Sequence, residues 1–205
     1  MARDTQSIVK MSRREGYALH PKAHKALVKR TTAPGQAANS RMRNKPSQYS
    51  LQLREKQKVK RTYGLLEKQF SNLMKEASRK QGQSGEVLLQ FLEQRLDNAV
   101  YRAGFASSRR AARQLVSHGH FMMNGRRVDV PSIRVKIGDE FTVRDHSKQT
   151  EYFKKLDDVS PAPSTAPAWL KINRKNLTFT VTGIPARDDA EPEIKEQLIV
   201  EYYSR

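Results

Sequence analysis

The residues best suited to chemistry in this chain are arginines, and the chemistry they suit is anion binding. Arg109, Arg110 and Arg113 fall at i, i+1 and i+4, so on a helix Arg109 and Arg113 share a face. Ser107 and Ser108 stand just before them and offer hydroxyls and free backbone N–H groups at a helix start. Gln114 adds an amide, and Asn124, Arg126 and Arg127 follow closely. Such a set predicts a patch holding roughly two or three phosphates. Guanidinium suits the task better than ammonium, because it contacts phosphate bidentately and stacks on unpaired bases. His118 and His120 bracket a glycine. Their ordinary reading is a helix cap and a first strand residue; their functional reading is a polar contact to phosphate or base. Phe121, Met122 and Met123 are expected as core and strand-face residues.

Catalytic groupings are scarce. There is no cysteine, which excludes disulfides, thiolate zinc sites, iron–sulfur clusters and a cysteine nucleophile. No phosphate loop with Lys-Ser/Thr and no dinucleotide fingerprint is present. His20 and His24 are four apart, but Pro21 intervenes and no carboxylate lies near enough in sequence to add a third ligand. No metal, cofactor, small-molecule substrate or catalytic residue is expected. The tripeptide Arg95-Leu96-Asp97 resembles the segment around the catalytic aspartate of pseudouridine synthases. Here it falls in mid-helix, with no large mixed sheet left in the chain to surround it. Asp97 is instead expected as a helix-surface partner for Arg102 or another nearby arginine.

These side chains need elements to position them. Residues 1–45 read as a basic extension with one short helix at Ala23–Arg30, ordered only against a partner. Ser47 caps a helix that Gly64 ends or bends. Leu65–Arg79 forms a second, with Leu66, Phe70, Leu73 and Met74 on one face, and 81–85 is a loop. Glu86–Arg102 reads as one long helix, since Leu88, Leu92, Leu96, Ala99 and Val100 keep helical spacing up to Gly104. Ser107 caps a short helix, Ser108–Ser117, with Ala111, Ala112, Leu115 and Val116 inward. Two strands then flank Asn124-Gly125, the strongest two-residue hairpin signal. Strands follow at Arg134–Ile137 and Glu140–Val143, a loop at 157–168, and strands at Trp169–Ile172 and Leu177–Thr182. A final helix starts with Pro192 in its first turn and places Ile194, Leu198, Ile199 and Tyr202 on one face.

Charge names the kind of partner. The chain has 205 residues and a formal charge of +18. Residues 1–61 hold 16 Lys+Arg and 3 Asp+Glu, and 102–136 hold eight basic residues against Asp129 alone. By contrast 188–205 has six acids and two basic residues. Segmental, arginine-rich basicity is the footprint of a nucleic acid, which binds mainly by releasing condensed counterions. Within the first segment Arg13, Arg14, Arg41, Arg43, Lys45, Arg54, Lys58 and Arg61 are the expected contacts. A membrane surface would need an amphipathic helix with aromatics on its apolar face, which the basic segment lacks. No apolar run reaches spanning length, and the amino terminus has no signal-peptide core, so a cytoplasmic protein is expected.

The run LLQFLEQRLDNAVYRAGFASSRRAARQLVSHGHFMMNGRRVDVPSIRVKIGD closely resembles the RNA-binding module of the family of the fourth small-subunit ribosomal protein. YSLQLREKQKVKRTYGLLEKQF resembles that family's helical domain, EQLIVEYYSR its closing helix, and Ser12-Arg-Arg-Glu-Gly16 its start. The resemblance covers almost the whole chain. It implies an α+β protein: a basic extension (1–45), a helical domain (46–92 plus 183–205) and an inserted RNA-binding module (93–182, core about 94–155) whose helix pair packs on a short mixed sheet. It implies a structural protein that binds small-subunit ribosomal RNA early and nucleates assembly of the subunit body. It further implies contact with neighbouring ribosomal proteins, a contribution to translational accuracy at the messenger entry and, in some bacterial members, repression of the protein's own messenger RNA. Many members hold zinc with amino-terminal cysteines; here that region reads Ser7-Ile-Val-Lys-Met-Ser12 and holds none. Arg110 and Phe121-Met122-Met123 are less usual for the family. The resemblance of the module alone extends to several RNA-modifying enzymes and a tyrosyl transfer-RNA synthetase, so an RNA-modifying enzyme using Asp97 and a free-standing RNA-binding stress factor that rescues damaged large subunits are the alternatives. Turnover abolished by Asp97→Asn would mark the first, and sedimentation away from small subunits the second.

Overall fold

A computed structural model describes residues 4–30, 32–35, 45–162 and 166–204. The chain divides into two compact units, Met1–Leu88 with Glu193–Arg205, and Leu89–Pro192. Among the described residues, two elements of the first unit precede residue 45. Helix α1 spans Ile8–Glu15 and ends at Gly16, whose φ of 64° lets its N–H return to the carbonyl of Ser12. Helix α2, Pro21–Lys29, has proline in its first turn, and the ring of His20 accepts the Lys22 N–H. The stretch expected as an extension with a single helix therefore carries two. Met11 and Ala23 are buried, and the Glu15 carboxylate meets Arg54 and Arg61 of α3, Gln48–Thr62. Buried apolar surface and ion pairs hold these two helices within the chain itself.

Ser47 caps α3, its hydroxyl accepting from the Ser50 N–H. Helix α4, Glu67–Ala77, buries Phe70, Met74 and Ala77; Leu66 and Leu73 of the expected face are only half-buried. The expected long helix 86–102 is two helices, α5 (Ser84–Glu93) and α6 (Leu96–Arg102). The break has a tertiary cause. Arg95 turns extended and pairs with Arg134 as an isolated β-bridge. Leu96 N–H donates to Ile133 O at 2.8 Å, and Val135 N–H to Gln94 O at 2.9 Å. All five spaced apolar residues are still fully buried, so periodicity runs on across the break. Arg134 contributes one bridge rather than the expected strand.

The second unit carries α7 (Arg109–Ser117) and a sheet of β1 (Phe121–Met123), β2 (Arg126–Val128), β3 (Glu140–Val143), β4 (Leu170–Asn173) and β5 (Thr178–Val181). Its order is β2-β1-β3-β5-β4. Every pairing among the described residues is antiparallel, so the sheet is not the mixed one expected. Phe105, Phe121, Phe141 and Phe179 form its buried aromatic centre, with Phe141 and Phe179 stacked at 4.8 Å. Among the described residues, three one-turn helices lie between β3 and β4: α8 (Asp145–Lys148), α9 (Glu151–Lys154) and α10 (Leu156–Val159). The last of them takes the start of the expected loop.

Helix α11 spans Glu196–Tyr203 and lies along α3 in the first unit. Its start differs from expectation, because Pro192 lies before the helix. Lys195 N–H donates to Glu55 Oε1, and Lys58 Nζ donates to the Glu193 carbonyl. Those bonds to α3 hold the approach, with its turn at Pro192 and Glu193, out of the helix.

Candidate nucleic-acid interface

Helix α7 sorts its polar residues by face. Ser108 is its N-cap, buried, with its hydroxyl accepting the Ala111 N–H at 3.3 Å. Ser107, Arg110, Gln114, Ser117 and His118 are exposed. Arg109 and Arg113 do share a face, but it is turned toward the unit's own carboxylates. Arg109 Nε donates to Asn98 Oδ1 and its Nη2 to Glu191 Oε1, both at 2.8 Å, with the guanidinium 4.6 Å over the Tyr101 ring. Arg113 Nη1 lies 3.7 Å from Asp97 Oδ2.

Beneath them is a network that sequence reasoning missed. Glu93 is fully buried and accepts from Asn98 Nδ2 and, bidentately, from Arg102. Asp97 is buried rather than on the helix surface, and it is held bidentately by Arg95 at 2.8 and 3.0 Å. Arg102 pairs with Glu93 instead. A carboxylate locked in this way is unsuited to attack a base. The available signal was Glu93 itself, a charge within an otherwise apolar helix face.

The hairpin supplies exposed cations. Asn124 and Gly125 both have positive φ, 49° and 80°, which is the geometry of a type I′ turn. The Asn124 side chain is used internally. Its Oδ1 accepts the Glu140 N–H and its Nδ2 donates to Asp139 Oδ1, which pins the turn to β3. Arg126 and Arg127 are exposed, and with Arg110 they form no ion pair among the described residues. Arg127 lies across Gly119, so that a methyl group there would sit 2.5 Å from its Nε. This packing brings the hairpin to the end of α7. Arg144, also missed, donates to the Gly119 carbonyl at 3.3 Å.

His120 is oriented by Ser147, Nδ1 to Oγ at 2.9 Å. Burial, then the positive charges of His118 and Arg144, push its pKa below the ordinary value. Its ring lies 6.0 Å from that of His118.

In the first unit, Arg54 and Arg61 are engaged by Glu15. Lys58 donates to Glu55 at 3.3 Å and to the Glu193 carbonyl at 2.6 Å. Arg13 donates to the Thr32 carbonyl. Arg14 and Lys45 are exposed. Arg41 and Arg43 lie outside the described residues. Among the described residues no helix is long and apolar enough to cross a membrane, and no three His, Asp or Glu side chains group as metal ligands.

The profile described as the ribosomal protein S4/S9 N-terminal domain matches residues 3–93, and the S4 domain profile matches 94–141. The chain is 50% identical to the small ribosomal subunit protein uS4 of Clostridioides difficile over the full length of both. The chain belongs to the uS4 family. It is also 49% identical to uS4A of Symbiobacterium thermophilum and 48% identical to uS4 of Chloroflexus aurantiacus, again over the whole of each chain. The uS4 boundary between the two profiles falls at the end of α5, and the S4 domain match covers α6, α7, the hairpin and the start of β3.

Proposed function

We infer that the protein is an RNA-binding, non-enzymatic structural constituent of the small ribosomal subunit. The observation that carries this is full-length identity near one half to proteins named as that constituent. The module alone would leave RNA-modifying enzymes and stress factors open; relatives matched from end to end do not. Small-subunit ribosomal RNA is the principal partner and neighbouring ribosomal proteins are the others. The RNA contact is made early and nucleates assembly of the subunit body, and the assembled protein supports translational accuracy. Its own messenger RNA is a further ligand, bound through the same surface.

The cationic surface of the module supports this reading. Arg110, Gln114, His118, Arg126 and Arg127 take phosphate and base contacts, with Ser107 at the helix start. Ser108, His120 and Asn124 set the shape of that surface. Arg109 and Arg113 line its edge. Residues 93–182 act as the RNA-binding module, 46–92 with 183–205 as the helical domain, and 1–45 as a basic arm. Arg13, Arg14, Arg41, Arg43 and Lys45 supply a second stretch of phosphate contacts, while Arg54, Lys58 and Arg61 stay bonded within the first unit.

A tagged copy expressed in bacterial cells should sediment in stoichiometric amount with small subunits. A protein found mainly free, or on large subunits, overturns the reading. Protection mapping with full-length protein and small-subunit RNA should show a compact footprint without other proteins present. If protection needs prior binding of other proteins, the early, nucleating role is lost while membership of the subunit stands.

A further inference from the structure

The guanidinium groups of Arg102 and Arg109 converge on a single oxygen. Glu191 Oε1 is 2.8 Å from Nη2 of Arg109 and 3.6 Å from Nη2 of Arg102. Two arginines closing on one oxygen is how proteins hold phosphate, and here a carboxylate oxygen stands where a non-bridging phosphate oxygen would. Arg109 is fixed from behind by the Asn98 Oδ1 bond and by the Tyr101 ring, and Arg102 by its bidentate hold on Glu93. The arginines are thus pre-set whatever occupies the front.

The two carboxylates differ in kind. Glu93 is on a helix and fully buried; removing it would strand buried partners. Glu191 follows a short 3-10 turn, Arg187–Asp189, and precedes Pro192, with 21% of its side chain exposed. A side chain one-fifth exposed on irregular backbone exchanges partners more readily than a fully buried one on a helix. Charge agrees. Arg102, Arg109, Glu93 and Glu191 sum to zero, and with Glu191 swung away the cradle carries +1, the complement of one phosphodiester.

We propose that Arg102 and Arg109 form a phosphodiester-binding cradle that Glu191 fills in the RNA-free protein and vacates when RNA binds. This deepens the RNA-binding reading and rests on it. It adds Arg102, Tyr101 and Glu191 to the surface and makes Glu191 an internal competitor. In the wild type the RNA must displace a carboxylate that then regains its own counterions, so this cradle adds little to the salt dependence of binding.

The test is binding of full-length protein to a small-subunit ribosomal RNA fragment, followed by fluorescence anisotropy across a salt series. Glu191→Gln should tighten binding at least about twofold, because RNA no longer has to displace an ion-paired carboxylate, and steepen the log K against log salt slope by nearly one phosphate. Glu191→Asp keeps the charge but shortens the reach, so it should steepen the slope as well, which separates the cradle from long-range attraction. Glu191→Gln combined with Arg109→Gln should lose the gain. Unchanged or weaker binding by a folded Glu191→Gln variant overturns the cradle. So does loss of folding in both single variants, because Glu191 would then be a structural clamp. If the wild type shows no salt-dependent binding, it is the RNA-binding reading that fails.

Discussion

An arginine's sequence position does not reveal which anion it meets, and α7 shows why. Arg109 and Arg110 are neighbours, yet one faces Glu191 and the other faces solvent. The deciding carboxylate comes from 82 residues away, so helical periodicity alone could not sort them. The hairpin pair was more legible, because Arg126 and Arg127 directly follow a turn whose geometry is local. Replacing both with Ala should weaken binding to small-subunit RNA and flatten the salt slope by about one phosphate each. An unchanged slope in anisotropy titrations would remove them from the interface. A second residue-scale effect belongs to Glu67. Burial pushes its carboxyl up, but hydrogen bonds from Lys56 and Lys60 outweigh that and hold it at about 2. A depressed carboxylate stabilises the fold above its unfolded pKa and loses that effect as pH falls through the folded one. Thermal melts should therefore show Glu67→Gln less stable than wild type at pH 7, with the gap closing between about pH 4.5 and pH 2.

At the scale of elements, what could be read depended on where the hydrogen bonds come from. The hairpin, the Ser47 cap and the glycine stops are self-contained, and they stand where their residues predict; the cap of α7 falls one residue later than expected, on Ser108 rather than Ser107, because it is the Ser108 hydroxyl that accepts the Ala111 N–H. The break between α5 and α6 is not self-contained. Helical spacing continues through it, and only the backbone of 131–135 supplies the competing partners. The late start of α11 has the same kind of cause in Glu55 and Lys58 of α3. Gly119 is the element-level test. Its φ is +70°, and a side chain would strike Arg127. Gly119→Ala should cost about 1–2 kcal/mol in urea unfolding and move Arg127 off the end of α7. A neutral substitution would show that Arg127 is not seated there. Ile199, fully buried on α11, should cost about 2–5 kcal/mol when cut to Ala.

For the molecule as a whole, the chain's basicity was visible from composition, and its partner class followed from that. The fraction of cations left for a partner was not visible. Arg54, Arg61 and Lys58 bond within the first unit, so fewer cations are left for a partner than the 39 Lys+Arg of the sequence suggest. The measured salt slope of the full chain should accordingly report far fewer phosphates than there are basic residues. A slope near the full cation count would mean that these internal pairs open on binding.

The contact between Gln52 and Glu201 joins residues 149 positions apart, with all of 89–192 between them. Helix α3 therefore cannot bury the face it shares with α11 until all of 89–192 has been made, so a chain cut anywhere in between leaves the first unit open.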